Sequence, residues 1–383
     1  MFKQIRQYNF PTVIRFGIGA AKELPAYLKS NNLKKPLIVT DPMVYDLPFF
    51  RTILKDLEVR SISYETFSEI DKNPVKSNVL AGGDAFADGH CDAIIGIGGG
   101  AAMDVARAIA LRINNRRDLF EYDDLIGGDK YIDGEIPHFI TIPTTSGTGS
   151  EVGRAAIISE DDSKRKRILF HPTLLAKIVF ADPALTFDLP PNITAATGMD
   201  ALTHNMEAYI SKGFHPMCDG IALQGIELIA ESLEEAVLNP NPENRSKMML
   251  ASLMGAVAFQ KGLGIVHSLA HPLSTLLDVH HGLANAVMIT YGMEYNMSGL
   301  EKQFEQMARS LKLDDISGNG VLEGLKDMNE NISIPSKLSD LGVRSEHIDP
   351  LADLAMADFC LPSNPKPASL DDLKNIYRKA IES

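Results

Sequence analysis

Short apolar runs alternate with helix-like segments over the first 182 residues, and this alternation limits the fold more than any other feature. The runs are apolar or β-branched and end in turn residues: LIVT (37–40), SISYET (61–66), DAIIGIGG (92–99) and HFITIPTT (138–145). Strands of this length separated by helical segments are typical of βαβ units and of a parallel sheet with both faces covered. AAIISE (155–160) and LAKIVFAD (175–182) indicate later strands, either antiparallel or peripheral.

The pattern changes at ADPALTFDLPPN (181–192), where three prolines interrupt it. Beyond this segment the apolar residues recur at the 3–4 spacing of amphipathic helices, as in TAATGMDALTHNMEAYI (194–210). We therefore predict an α/β domain with a parallel sheet over residues 1–182 and an all-α domain over residues 183–383.

Charge and cysteine content exclude several classes of function. The 37 basic against 50 acidic residues give a net charge of −13, which argues against nucleic acid or a membrane surface as a partner. Three scattered cysteines exclude a disulfide framework and a CxxC zinc knuckle, so a bound metal needs nitrogen and oxygen ligands. The N-terminus lacks the apolar core of a signal peptide, and no apolar run reaches about 18 residues. We expect a cytoplasmic protein.

Two glycine-containing loops are candidate nucleotide sites. In DAIIGIGGGAAMDVARAIA, the glycines at 96, 98, 99 and 100 would let a diphosphate approach the backbone and face a helix N-terminus. TIPTTSGTGSEVG (141–153) follows another predicted strand and offers hydroxyl donors for phosphate or ribose. Each loop taken alone could be a turn without a ligand, but two loops after neighbouring strands favour a shared ligand.

Asp41 closes the first clear strand, in LIVTD. A carboxylate at a strand end can accept hydrogen bonds from a ribose diol and repels a 2′-phosphate, which would favour NAD over NADP. Helix capping beside Pro42 is the alternative interpretation.

Histidines and one aspartate recur at helical spacing in the second half of the chain. Asp200 and His204 stand at i and i+4, His267 and His271 repeat that spacing, and HHG (280–282) adds two imidazoles. Facing helices often supply such pairs to a metal, and an Asp with three His suits Fe²⁺ or Zn²⁺. Histidines at helix interfaces, or a metal-free catalytic cleft, are the alternatives.

These strings together resemble the iron-containing (group III) alcohol dehydrogenases, within a larger set that includes glycerol dehydrogenase and dehydroquinate synthase. The matching strings are GGG-x-x-x-D (98–104), PTTSGTGSE (143–151), TAATGMDALTHNMEAY (194–209) and GLGIVHSLAHPLS…HHGLANA (262–286). The resemblance extends over nearly the whole chain. It implies a dehydroquinate synthase-like fold, with an α/β dinucleotide-binding domain followed by an all-α domain.

The resemblance also implies roles for individual residues. The metal ligands would be Asp200, His204, His267 and His281, with His271 near the nicotinamide and substrate. The cofactor contacts would be Asp41, Asn73, Gly98, Gly99, Gly100, Asp104, Thr144, Thr145, Thr148 and Lys166. Ala101 stands where the family usually has Ser, which removes one hydroxyl that could contact phosphate.

We therefore expect a metal-dependent, NAD-linked alcohol dehydrogenase that oxidises a small primary alcohol to an aldehyde reversibly. NAD is expected rather than NADP, and Fe²⁺ rather than Zn²⁺. The active site would lie between the two domains, and the apolar strand PTVIRF would support a homodimer. The alternatives are a polyol dehydrogenase, a lyase related to dehydroquinate synthase, a metallohydrolase, and a nucleotide-binding regulatory protein without turnover.

Overall fold

The computed structural model describes residues 10 and 12–382, and these residues form two compact units. The first unit comprises residues 12–145 and 149–186. The second comprises residue 10, residues 146–148 and residues 187–382. Each unit has its own hydrophobic core, so each is described separately.

A six-stranded parallel sheet forms the centre of the first unit. Its strands are β1 (Val13–Phe16), β2 (Pro36–Val39), β3 (Glu65–Phe67), β4 (Ala93–Gly98), β5 (His138–Pro143) and β8 (Ile178–Ala181), in the order β1-β8-β5-β4-β2-β3. The helices of this unit are α1 (Leu24–Ser30), α2 (Pro42–Tyr45), α3 (Pro48–Val59), α4 (Lys76–Asp88) and α5 (Gly100–Asn114). Every strand pairing in this sheet is parallel, which confirms the predicted sheet type.

Alternating residues of the strands bury two separate faces. Leu37, Val39 and Ile94 belong to one apolar cluster, whereas Ile38 and Ile95 belong to the other. Successive side chains of a strand point to opposite faces, so a strand covered by helices on both faces must be apolar at every position. This requirement explains why β2 and β4 appear in the sequence as uninterrupted apolar runs.

Of three further predicted strands, SISYET and LAKIVFAD differ from the structure, whereas AAIISE is antiparallel as expected. Within SISYET only the end of the run is extended, because β3 is an edge strand that, in the described part of the chain, pairs only with residues 37–39. β6 (Ala155–Ser159) pairs antiparallel with β7 (Lys166–Phe170) in a separate hairpin. The run LAKIVFAD is neither antiparallel nor peripheral, because β8 lies between β1 and β5 and is parallel to both.

Residues 187–382 of the second unit, all of which the structure describes, form helices joined by loops and contain no strand. Its helices are α6 (Pro191–Ile210), α7 (Pro216–Leu238), α8 (Pro242–Ala258), α9 (Ile265–Leu277), α10 (His281–Asn296), α11 (Glu301–Ser310), α12 (Gly318–Asn331), α13 (Ile348–Met356) and α14 (Leu370–Glu382). α6 is buried along almost its whole length and packs against α7, α8 and α10. Polar side chains on α6 therefore lie inside the unit and need partners there.

In the part of the chain that the structure describes, no single helix is long and apolar enough to cross a membrane. The pair Pro242–Lys261 and Ile265–Leu277 meets the same length and composition test only when taken together, and it is bent by 108° at its break.

Candidate functional site

The sheet register brings two predicted cofactor loops to the same edge. Gly98 pairs with Pro143, so β4 and β5 end side by side, and the Thr144 N–H donates to the Gly98 carbonyl at 3.0 Å. The chain runs from β2 outward to β3 and then returns to β4 on the other side of β2. Such a reversal opens a crevice at the carboxyl ends of the strands, where parallel α/β sheets bind their ligands. Gly98, Gly99, Gly100, Thr144 and Thr145 all lie at this edge.

Gly98 adopts a backbone conformation that favours glycine. Its φ is +151°, and a Cβ there would lie 2.6 Å from the Cβ of Ala102. The turn therefore needs glycine to enter α5, whose first N–H groups have no intrahelical acceptor. Such a helix N-terminus attracts a phosphate group.

Asp41 follows β2 at the same edge as Gly98. Its Oδ1 accepts a hydrogen bond from the Val44 N–H at 2.9 Å and so caps α2, as the alternative interpretation of Asp41 expected. Its Oδ2 lies 3.2 Å from where a Cβ on Gly98 would be. The carboxylate therefore caps the helix through one oxygen and extends the other toward the glycine turn.

Asp104 is held by protein donors rather than pointing into solvent. It accepts hydrogen bonds from the Ser150 hydroxyl at 2.8 Å, the Ile157 N–H at 3.2 Å and the Arg107 guanidinium at 3.2 Å. Arg107 has no exposed surface and also donates to the carbonyls of Ser150, Ala155 and Leu174. This network fixes the end of the threonine loop to α5 and to the β6–β7 hairpin, a role that the sequence did not predict.

Asn73, Lys166 and Thr148 lie outside the glycine turn. The carbonyl of Pro74 accepts from the Ser159 N–H at 2.8 Å, and Ser159 pairs with Lys166 across the hairpin, so Asn73 and Lys166 lie near the same hairpin end. Thr148 belongs to segment 146–148, which forms part of the helical unit. In that unit a Cβ on Gly147 would lie 2.8 Å from the Cβ of Thr197.

The helical unit brings the four predicted metal ligands together. One nitrogen or oxygen atom from each of Asp200, His204, His267 and His281 lies within 4.8 Å of the others. The Asp200 Oδ1 is 3.4 Å from His281 Nε2, 3.8 Å from His267 Nε2 and 4.0 Å from His204 Nε2. α6 supplies Asp200 and His204 one turn apart, while α9 and α10 supply one histidine each.

The charge state of the cluster suits cation binding. Burial alone would raise the pKa of Asp200, but the neighbouring His204, His281 and His267 outweigh it and hold that pKa below its usual range. Burial lowers the pKa of His204, and burial together with the other imidazoles holds the pKa of His267 well below its usual value. These directions favour the anionic form of Asp200 and the neutral forms of His204 and His267, which are the protonation states that a metal needs.

The donor set fits a first-row divalent ion. Bonds of about 2.0–2.2 Å in a tetrahedral site require ligand atoms roughly 3.3–3.6 Å apart, close to the separations from Asp200 Oδ1. The Nε2 of His267 is buried and has no hydrogen-bond partner among the residues that the structure describes. An orphaned buried acceptor of this kind is costly unless a ligand occupies it.

Two residues that the sequence did not indicate support the ligands. The Asn285 amide donates to Asp200 Oδ1 at 2.7 Å and lies 3.2 Å from His281 Nε2. Glu207 lies 2.6 Å from the Nδ1 of His267. Both could have been found from spacing, because Asn285 stands four residues after His281 and Glu207 seven residues after Asp200, on the same helix faces.

His271 lies beside the cluster in a stack of rings. It stacks on His281 at 5.3 Å and on Phe359 at 5.3 Å between ring centres. Its Nδ1 is 2.7 Å from Asp358 Oδ2. Burial opposes ionisation of Asp358, but His271 outweighs it and lowers the pKa of that carboxyl. Cys360 is close enough to complete a second ligand group, but burial raises the pKa of its thiol well above the usual value, so the thiol is a poor ligand.

The whole chain is similar to proteins of known activity. Residues 11–183 match the model of the iron-containing alcohol dehydrogenases, and residues 194–381 match the C-terminal model of the same family. The chain is 34% identical to 4-hydroxybutyrate dehydrogenase of Cupriavidus necator, covering 97% of each chain. It is 33% identical to NAD-dependent methanol dehydrogenase of Bacillus methanolicus, covering 98% of this chain and 99% of the other. A crystal structure of 1,3-propanediol oxidoreductase superposes with a TM-score of 0.94 at 32% identity, covering 99% of this chain and 100% of the other.

A parallel six-stranded sheet followed by a helical region defines a protein with the dehydroquinate synthase-like fold. The chain belongs to the iron-containing (group III) alcohol dehydrogenase family. It is an oxidoreductase that acts on CH–OH groups, so the lyase, hydrolase and regulatory interpretations lose their support.

Proposed function

We propose that the protein is a metal-dependent, NAD-linked alcohol dehydrogenase that interconverts a small primary alcohol and its aldehyde. The observation that carries this proposal is the cluster of Asp200, His204, His267 and His281, in which the buried Nε2 of His267 has no hydrogen-bond partner in the described part of the chain. A divalent ion held there would act as a Lewis acid toward the substrate hydroxyl. We favour Fe²⁺ because of the family, although Zn²⁺ generally binds such donor sets more tightly.

Each residue of the metal site makes a different contribution to binding the ion. Asp200 supplies the negative charge of the cluster, and Asn285 orients its Oδ1 through a hydrogen bond of 2.7 Å. His204, His267 and His281 supply nitrogen donors. The apolar and small residues around α6 exclude water from three of the four ligands, which strengthens the electrostatic interactions among them.

His271 would move the proton that alcohol oxidation releases. Asp358 accepts from its Nδ1, and we assign the exchange of the proton to Nε2, the other ring nitrogen. An imidazole is suited to this step because its unperturbed pKa lies near neutral pH. The stacking on Phe359 and His281 holds the ring in one orientation.

The proposed hydride acceptor is NAD, held by the first unit. The glycine turn at 98–100 and the N-terminus of α5 would take the diphosphate, and the Asp41 Oδ2 would accept from the ribose diol. A 2′-phosphate at that place would meet the Asp41 carboxylate, which is why NADP is disfavoured. The relative from Bacillus methanolicus, whose name includes NAD dependence, supports this choice of cofactor.

A substrate panel tests the proposal. The metal-free protein is reconstituted with Fe²⁺ under argon or with Zn²⁺, and NADH is followed by absorbance with methanol, ethanol, 1-propanol, 1,3-propanediol, glycerol and 4-hydroxybutyrate. We expect turnover with one or more primary alcohols or terminal diols. Preference for glycerol would favour the polyol alternative, and the absence of NAD-linked turnover across the panel would refute the proposal.

We also propose that the protein is a cytoplasmic homodimer. Among the described residues, β1 is an edge strand that pairs only with β8, and Val13, Phe16 and Ile18 are exposed there. An unprotected apolar edge is a template for pairing with a second copy. Light scattering after size exclusion should give twice the mass of the chain, and V13K/F16K should give the mass of one chain. Cell fractionation checks the location.

A further inference from the structure

The carboxylate of Glu207 connects α6 to the start of α9. Its Oε1 accepts from the Val266 N–H at 2.7 Å, and its Oε2 accepts from the His267 N–H at 3.3 Å. The same Oε2 lies 2.6 Å from the Nδ1 of the His267 ring. The side chains of Glu207 and His267 are each 1% exposed, so no water replaces these contacts.

α9 depends on this carboxylate because it has no capping side chain of its own. Its N-cap residue is Gly264, and Asn364 Oδ1 accepts from the Ile265 N–H at 3.0 Å. A Cβ on Gly264 would lie 2.6 Å from Asn364 Oδ1 and 2.9 Å from Glu207 Oε1, so the approach of these acceptors requires glycine. The orphan N–H groups of the first turn are therefore satisfied from other parts of the unit.

The arrangement also determines which nitrogen of His267 carries the ring proton. Oε1 and Oε2 already accept main-chain N–H groups, so Glu207 faces the ring as an acceptor, and Nδ1 carries the proton that it donates. The other nitrogen, Nε2, then has a free lone pair and lies 3.8 Å from Asp200 Oδ1. Asp200, His204 and Glu207 stand at i, i+4 and i+7 of α6, so one helix face supplies two predicted ligands and this supporting group.

We propose that Glu207 is a positioning residue that holds His267 in the tautomer with the proton on Nδ1, and thereby sets the affinity of the site for its metal ion. This inference rests on the metal site of the proposed function. Carboxylates that accept from ligating histidines fix the tautomer and ring orientation of the ligand, and their loss typically weakens metal binding about 10–100-fold.

Glu207→Gln separates this role from that of a simple helix cap. The amide has nearly the same shape, and its oxygen can still accept from Val266 N–H. Its NH₂ group would then donate to Nδ1 and force the ring proton onto Nε2, where it blocks the ligand position. The opposite amide orientation restores the acceptor at Nδ1 but places the NH₂ against the Val266 N–H.

The affinity of the metal-free protein for Zn²⁺ and Co²⁺ is measured by competition with a chromophoric chelator. We expect E207Q to bind the ion about 10–100-fold more weakly than the wild type. E207D, which retains the carboxyl group, should recover most of the loss. Y377F is the matched control. It removes the buried hydrogen bond of 2.7 Å from Tyr377 to the Leu269 carbonyl on the same helix, without touching His267. We expect it to lower the melting temperature and leave the metal affinity within about twofold.

The outcomes separate the two proposals. If the wild-type protein does not bind one metal ion per chain, both the proposed function and the role of Glu207 are overturned. Wild-type binding with equal affinity in E207Q overturns the role of Glu207 and leaves the metal site standing. Equal losses of affinity in E207Q and Y377F would make Glu207 a structural cap only.

A measurement on the wild type decides the question if E207Q does not fold. In the metal-free protein with ¹⁵N-labelled histidine, where no ion excludes a proton from Nε2, we expect a slowly exchanging proton on His267 Nδ1 and none on Nε2. The resonance is assigned by its absence from H267Q. A proton on Nε2 would overturn the proposal.

Discussion

Arg107→Met tests how the first unit holds its threonine loop. Methionine fills much of the space of the arginine, so the change removes charge and hydrogen bonds without leaving a large cavity. The change leaves the partly buried Asp104 carboxylate without its cation and removes the hydrogen bonds that Arg107 donates to three carbonyls. Breaking a buried ion pair on one side costs about 3–5 kcal/mol, whereas an exposed pair would cost about 1 kcal/mol or less.

Hydrogen exchange followed by mass spectrometry gives the local readout that a chain of two units needs. A loss of 3–5 kcal/mol corresponds to roughly 150–5,000-fold faster exchange, at tenfold per 1.36 kcal/mol. We expect this acceleration in peptides covering residues 149–170, with peptides of α11–α14 unchanged. D104N/R107M, which also removes the stranded charge, should recover part of the loss. Exchange of residues 149–170 within threefold of the wild type would refute the reasoning.

Three further predictions concern the first unit. Burial raises the pKa of Glu151 from 4.5 to about 7, so its contribution to stability is present below about pH 4.5 and is lost as pH rises to about 7. In paired urea titrations at pH 5 and pH 8, E151Q should remove up to about 3 kcal/mol of that decline in stability. Equal declines in E151Q and the wild type would contradict this prediction. G98A, strained at φ +151° and crowded by Ala102, should destabilise the unit by about 1–3 kcal/mol and weaken NAD binding in calorimetry; unchanged binding would remove the glycine turn from the cofactor site. D41G should raise the ratio of kcat/KM for NADP to that for NAD with little loss of stability, because glycine is tolerated at an N-cap; an unchanged ratio would exclude Asp41 from cofactor choice.

Local spacing predicted the parts of the protein that depend on one element. The apolar runs predicted β2 and β4, because a strand buried on both faces has no polar position. The i, i+4 pair Asp200 and His204 predicted a shared face of α6, because the helical period places both side chains on one side of the helix. The family resemblance then selected His281 over its neighbour His280.

Contacts between segments that lie far apart in the sequence could not be predicted from such local patterns. Asp358 lies 87 residues from His271 in the chain, and no periodicity connects a loop carboxylate to an imidazole on α9. The position of β8 between β1 and β5 depends on the order of strands in the sheet, which single-strand composition does not encode. Asp104 was expected to contact the cofactor. Its hydrogen bonds to Ser150 and Ile157 depend on the packing of the β6–β7 hairpin against α5, which no local pattern encodes.

The central claim is that the cluster of Asp200, His204, His267 and His281 holds the metal on which NAD-linked alcohol oxidation depends. Metal-free wild type and H267A are titrated with Fe²⁺ under argon, and NADH formation is measured against the metal content of each sample. We predict that wild-type activity rises in proportion to metal up to one ion per chain, and that H267A retains neither metal nor activity. Undiminished turnover in metal-free H267A would contradict the claim.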